Sequence, residues 1–337
     1  MRGDQRINFA LKVFAISLLL AFTQTKSFLK LYETGKQEVQ KQILTVGVLT
    51  IPATDSEYQD VHHHHYIIEM NLIWMLTGGM NPVAIPYNAT DDLLYALLRQ
   101  VNGIYFTGGD LDLFNNVTGA PHPYTVTAKK IFEYAKTQND NHIYFPIFGV
   151  CQGHELLHLL VADNISALGW SEGENVCLST NFSFDMKYVT RLFSSFSDET
   201  LEAMQTQEIM MHLHHRGIPV DYYQKYPTLA KFFRILSTNN IQGREIVSTA
   251  EALKYPFYIT QYHPEAAFDP VSDMHANHQI ISFKMAQSFA NFYASQCDVN
   301  DNQFSDQELL NKWLVKNGYK TKVSYIEKLV NVYAFDY

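Results

Sequence analysis

The sequence predicts an α/β fold, a three-layer sandwich with a mostly parallel central sheet between helices. Three observations predict it. Short β-branched apolar runs alternate with helical patterns through the first half of the chain, which requires parallel strands joined by helical crossovers. Two of those runs end directly in Gly, Cys or His clusters, and such sheets bind ligands beyond the carboxyl ends of their strands. The composition, 47% hydrophobic and 18% charged over 337 residues, is that of a globular chain with a sizeable core.

Each element has its own reason. Ile43 to Ile51 (ILTVGVLTI) is β-branched and ends at Pro52, as a buried parallel strand does. Residues 64–77 read as a helix halted by Gly78-Gly79. Val83 to Pro86 is a strand and Asp91 to Gln100 a helix, with Thr90 and Asp91 supplying the N-cap. Gly103 to Phe106 is a third strand, broken by Thr107-Gly108-Gly109-Asp110. Thr127 to Thr137 is a helix and His142 to Val150 a strand. The stretch 165–240 is less periodic and richer in turns. Glu245 to Ser248 and Phe257 to Gln261 are later strands, and Ala276 to Ala294 is a long amphipathic helix. After Cys297 the composition shifts, and a short helical stretch runs to about Leu329. Residues 40–298 are therefore read as the catalytic domain and 299–337 as a C-terminal tail.

The N-terminus predicts a compartment. Arg2, Arg6 and Lys12 precede Val13 to Phe22, an uncharged run too short to span a bilayer. Residues 1–25 thus read as a signal peptide. Asn88, Asn116, Asn164 and Asn181 each open an N-x-[ST] sequon. Together these predict the secretory pathway, with an extracellular or lysosomal/vacuolar destination and no membrane attachment once the signal is removed. A formal charge of −9 lacks the footprint of a nucleic-acid binder. Three cysteines exclude a disulfide scaffold and leave at least one thiol unpaired. Cys177 and Cys297 are the two that could pair, although nothing in their spacing shows it.

The most informative stretch is Phe145-Pro-Ile-Phe-Gly149-Val150-Cys151-Gln152-Gly153-His154-Glu155. A strand runs into Gly-x-Cys-x-Gly and a helical pattern follows, the sulfur form of a nucleophile elbow. The flanking glycines remove side chains that would collide at so sharp a turn. The helix N-terminus is expected to lower the thiol pKa, and the Gln152 amide to face an oxyanion on the attacked carbonyl. A cysteine nucleophile also needs a base and a group that orients it. Gln261-Tyr262-His263-Pro264-Glu265 supplies both at the end of a later strand, His263 as base and acid and Glu265 as its orienting carboxylate. An amide of Gly108-Gly109 would be the second oxyanion donor.

These residues resemble the γ-glutamyl hydrolase (folylpoly-γ-glutamate hydrolase) family of the class I glutamine amidotransferase-like superfamily. The resemblance runs from about Leu44 to Ala294. It rests on the elbow, on His-Pro-Glu, on Asn102-Gly103-Ile104 with Gly108-Gly109, on His214-His215-x-Gly217-Ile218, and on Lys254-Tyr255-Pro256 leading into the last strand. It implies a flavodoxin-like sheet and a cysteine hydrolase cleaving γ-glutamyl amides through a thioester. Cys151, His263 and Glu265 are then catalytic, and Glu155, one helical turn past the nucleophile, joins them as a site residue. His214, His215 and Arg216 are candidates for substrate binding, with Lys187 or Arg191 as further cations. The expected partner is a small molecule, a poly-γ-glutamyl folate or γ-glutamyl peptide, and not nucleic acid. Family members are often dimers, so the resemblance allows a homodimer, although no surface patch in the sequence shows one. No metal or organic cofactor is implied, and the run His62 to His65 cannot place four rings on one helix face. Leu213, Arg216, Tyr262, Gln152 and His154 depart from the family's usual residues, which bears on chain-length or substrate preference more than on chemistry. Two alternatives stay open: a glutaminase-type amidotransferase subunit, and a catalytically inactive γ-glutamyl-binding homologue.

Overall fold

A computed structural model describes residues 43–53, 65–115, 117–183, 186–269, 275–325 and 328–336. The proposed signal peptide, Asn116 and His62 to His64 lie outside them. The strands, in chain order, are β1 (Thr45–Leu49), β2 (Ile51–Pro52), β3 (His65–Ile68), β4 (Asn81–Ile85), β5 (Ile104–Phe106), β6 (Ile147–Val150) and β7 (Gly169–Leu178). They continue with β8 (Asn181–Phe182), β9 (Met210–Gly217), β10 (Phe233–Ile241), β11 (Arg244–Ala252), β12 (Phe257–Thr260), β13 (Tyr319–Tyr325) and β14 (Lys328–Phe335). The main sheet runs β4-β1-β5-β6-β12-β11-β10-β8. Its first five strands are parallel and the remainder antiparallel. Numbered by chain order, the parallel strands stand 2-1-3-4-5, the flavodoxin-like order.

Strand alternation shows why there are three layers. Successive side chains of a strand point to opposite faces. On β12, Phe257 meets Phe132 of the helix Pro123–Asp140, while Tyr258 meets Phe292 of the helix Ile280–Cys297. The second face also carries the helix Glu69–Thr77, whose Trp74 indole donates to the Ala286 carbonyl at 2.9 Å. On the first face, Tyr95 of the helix Asp91–Leu98 packs near Tyr134. As expected, Thr90 caps Asp91–Leu98, accepting from the Leu93 amide, and Gly78-Gly79 stops the helix before it, with Gly79 at φ +78°.

Two expectations are corrected, and the cysteine pairing left open by the sequence is answered. Residues 65–68 are a strand, and the helix begins only at Glu69. The helical reading up to Leu329 gives way to a short helix, Gln307–Trp313, and the β13–β14 hairpin. Tyr-Lys-Thr-Lys-Val-Ser-Tyr alternates with period two, the pattern of a half-buried strand. β14 pairs with β3, and β3 with β2, completing a separate four-stranded sheet. Ile51, Tyr66, Ile68, Met70, Val323 and Val332 form a small core of their own beneath it. The segment after Cys297 is also tied to the main sheet, since the Asn102 amide donates to the carbonyls of Asn300 and Asn302, each at 2.8 Å. Finally, Cys177 and Cys297 are both free thiols. Cys297 is buried against Gly103, whereas Cys177 is half-exposed on β7.

Candidate active site

Cys151 stands at the junction between β6 and the helix Gln152–Ala162, at φ +49° and ψ −106°. A non-glycine residue in such a conformation stores about 1–3 kcal/mol of strain, so neighbours must hold it. The Cys151 amide donates to the Thr260 carbonyl at 2.8 Å. A Cβ on Gly149 would stand 2.8 Å from the Gly153 carbonyl oxygen, and one on Gly153 would overlap the Phe106 carbonyl. Only glycines permit this closeness of strand, turn and helix. The sulfur points toward β9, 3.6 Å from the Leu213 carbonyl.

The imidazole comes from the next strand of the sheet. Beyond β12, His263 donates its amide to the Met211 carbonyl at 2.8 Å, which fixes it against β9. Pro264 then opens a 3-10 turn, Pro264–Phe268, that folds Glu265 back under the ring. His263 Nδ1 lies 2.8 Å from Glu265 Oε1, and both side chains are buried. The imidazole also faces the Cys151 sulfur closely enough for the two to shift each other's titration, while its Nε2 is buried without a hydrogen-bond partner. Burial opposes its charged form, yet the sulfur and the carboxylate outweigh burial and hold His263 well above its usual value. The thiol departs from expectation. Burial pushes Cys151 up, and His263 offsets this only in part. Desolvation here exceeds the pull expected of a helix end.

The glycine turn closes around this pair. A Cβ on Gly108 would lie 2.5 Å from His263 Cε1, and one on Gly109 2.9 Å from Gln152 Oε1. The Gln152 side chain donates through Nε2 to the Leu111 carbonyl at 2.7 Å, fastening the loop to the elbow. Gly108, Gly109 and Gln152 are thus gathered beside Cys151.

Two cavities meet at the pair. The first is polar and holds Cys151, Asp110, Glu155, His214, His215 and Arg216. The second lies on the His263 side and is lined by Ile68, Met70, Leu213 and Val330, with Asn71 and Asp269. Glu155 is buried in the first. Burial raises its carboxyl to about 7, although the Gln261 amide donating at 3.1 Å and the Arg216 charge pull it back. His214 is buried as well, and burial with the nearby His263 lowers it to about 4. Arg216 is half-exposed and reaches Asp112 at 3.5 Å. Arg191 is elsewhere: its guanidinium binds the carbonyls of Ala252 and Tyr255 and sits 3.8 Å from Glu251, a structural role.

Two supporting residues escaped the sequence reading. Gln261 holds Glu155. His212, fully buried, places Nδ1 3.0 Å from His214 Nε2 and so orients that ring. The spacing His212-x-His214 was the available signal, because alternate residues share one face of a strand.

A sequence profile of the peptidase C26 family matches residues 45–265. Among curated proteins, the chain is 28% identical over 292 residues to γ-glutamyl hydrolase B of Dictyostelium discoideum, covering 84% of this chain and 81% of that one. It is 30% identical to the γ-glutamyl hydrolase of Rattus norvegicus, covering 72% and 74%. To that of Homo sapiens it is 26% identical, covering 81% and 83%.

Proposed function

The chain belongs to the peptidase C26 family and is a hydrolase, and on that premise we propose that it cleaves γ-glutamyl amide bonds of folylpoly-γ-glutamates through a thioester on Cys151. The observation that carries the reading is the buried His263–Glu265 pair, 2.8 Å apart, set against a thiol held at a strained elbow. The γ-glutamyl group enters the polar cavity with its carbonyl at the sulfur. With Nδ1 occupied by Glu265, His263 takes the thiol proton on Nε2 as the S–C bond forms. Burial raises the thiol pKa and His263 offsets this only in part, so the sulfur depends on that base to become a nucleophile. The oxyanion is received by amides of Gln152 and the Gly108-Gly109 turn, each donor contributing on the order of 10²–10³ in rate. His263 then protonates the departing amine, the C–N bond breaks, and water hydrolyses the thioester.

The test offers wild-type and Cys151→Ala protein pteroyl-poly-γ-glutamate, a γ-glutamyl dipeptide and free glutamine. Cleavage of the first two by wild type alone is expected. Turnover of glutamine without cleavage of γ-glutamyl peptides would favour a glutaminase, and no turnover at all a binding homologue.

The secretory route is part of the same proposal. Asn88, Asn164 and Asn181 are exposed, as glycan attachment requires. No helix among the described residues is long and apolar enough to cross a membrane. An endoglycosidase-sensitive mobility shift of protein from its own host is expected; full-length, unglycosylated protein would overturn it.

A further inference from the structure

One aromatic side chain near the polar cavity is unaccounted for. The chain has three tryptophans. Trp74 and Trp313 are 0% and 1% exposed, but Trp170 on β7 is 61% exposed. So large an apolar ring is usually well covered in a folded domain. Trp170 follows Leu168, which lines the cavity, and pairs across the ribbon with Arg216, which also lines it. Its indole stacks on the His215 ring, a third lining residue, with centroids 6.0 Å apart and planes at 19°. The indole is thus braced from one side by the cavity wall and otherwise open.

We propose that Trp170 and His215 form a stacking subsite for a flat aromatic group carried on the α-nitrogen of the scissile γ-glutamyl residue. The proposal rests on the γ-glutamyl reading of the site and names what its acyl side accepts. The α-carbon stands three bonds from the carbonyl attacked by Cys151. With the γ-carbonyl at the sulfur, substituents on that carbon extend along the cavity toward His215 and Arg216. Arg216 is the cation there for the α-carboxylate. The α-nitrogen's other substituent, a benzoyl-type ring in a folyl substrate, meets the indole face. Offset or parallel aromatic contact of this kind stabilises without demanding a particular hydrogen-bond pattern.

The experiment pairs two substrates with the same scissile bond, N-(4-aminobenzoyl)-γ-glutamylglutamate and N-acetyl-γ-glutamylglutamate. Full-length wild type, Trp170→Ala and Trp170→Phe are compared. Trp170→Ala should raise KM for the aryl substrate by about tenfold, within the range of single-ring stacking. Its kcat should stay within twofold, and its KM for the acetyl substrate should hardly move. Trp170→Phe should recover most of the aryl KM. Equal KM changes on both substrates, or none on either, would overturn the subsite. Binding is read separately with the Cys151→Ala protein, whose only exposed tryptophan is Trp170. The aryl compound should quench its fluorescence, and Trp170→Phe should abolish the quench. Quenching that survives that change overturns the subsite; quenching without wild-type turnover of either substrate overturns the γ-glutamyl cleavage reading alone.

Discussion

The two sides of the Cys151–His263 pair are built from different materials. The Cys151 side is polar, and its groups come from the elbow helix, the glycine turn and β9: Glu155, Gln152, Asp110, His214 and Arg216. On the His263 side the wall is largely apolar: Ile68 and Val330 come from the second sheet, and Met70 from the start of the helix that follows Ile68. The difference separates two tasks. Recognition of a charged γ-glutamyl group needs fixed donors and acceptors. An imidazole–carboxylate pair needs water kept away, because its mutual attraction grows as the surroundings become less polar.

The largest effect should come from the dry side. Glu265→Gln keeps the shape of the pair but removes its charge and lets the His263 ring settle in the other tautomer. By the logic of such triads, kcat should fall on the order of 10³- to 10⁴-fold with little change in KM. Steady-state kinetics on a γ-glutamyl peptide measure it. A loss below tenfold would mean that the buried 2.8 Å contact is packing alone, and the contrast between the two sides would lose its catalytic meaning.

The polar side was largely legible in the sequence, and the dry side was not. Gly149-Val150-Cys151-Gln152-Gly153 encodes its geometry locally, since strand, turn and helix are contiguous and the glycine spacing reports the collision they avoid. His-Pro-Glu is equally local. By contrast, the wall opposite His263 depends on pairing Val332 with Ile68 and Phe335 with His65. Four residues of strand, His65–Ile68, are too few to show a period before a helix begins at Glu69. Nothing in their own composition names a partner at the far end of the chain. The thiol pKa departs from the sequence expectation for a related reason. A helix terminus is visible in sequence, whereas depth of burial belongs to the assembled fold.

The next effect concerns Glu155, and its sign follows from burial. The carboxyl is raised from 4.5 to about 7. Between those values the folded protein keeps a proton that the unfolded chain has released, so this group's contribution to stability is full at low pH and is lost as pH rises through about 7. The loss amounts to about 3 kcal/mol. Glu155→Gln, neutral throughout, should match wild type in urea unfolding near pH 5 and exceed it by roughly that amount near pH 8. The difference between the two proteins is the quantity to read. Buried His158 and His214, lowered to about 4, stay neutral while the unfolded chain gains protons, so they destabilise both proteins alike as pH falls below about 6.5. A pH-independent difference would show that Glu155 is ionised in the fold.

Arg216 tests whether the polar side recognises charge. Arg216→Gln removes a half-exposed cation whose described partner is Asp112 at 3.5 Å. KM for a substrate with a free α-carboxylate should rise by about tenfold, and an α-amide analogue should lose much less, consistent with a charge-assisted contact near the surface. Equal losses on both compounds would assign Arg216 to shaping the cavity.

The smallest predicted effect isolates the apolar wall. Val330 lines the His263 cavity from β14 and also packs against the small core of the second sheet. Val330→Thr keeps the shape close but brings a hydroxyl, and with it water, to the wall. If dryness strengthens the His263–Glu265 pair, kcat should fall by about threefold to tenfold while KM stays level, because the γ-glutamyl group binds on the other side. Val330→Ile, which restores the apolar surface, should return kcat to the wild-type value. Should Val330→Thr raise KM instead, the second sheet would be contacting substrate, and the division between a recognising side and an insulating side would have to be redrawn around Gly109 and Leu213, which line both cavities.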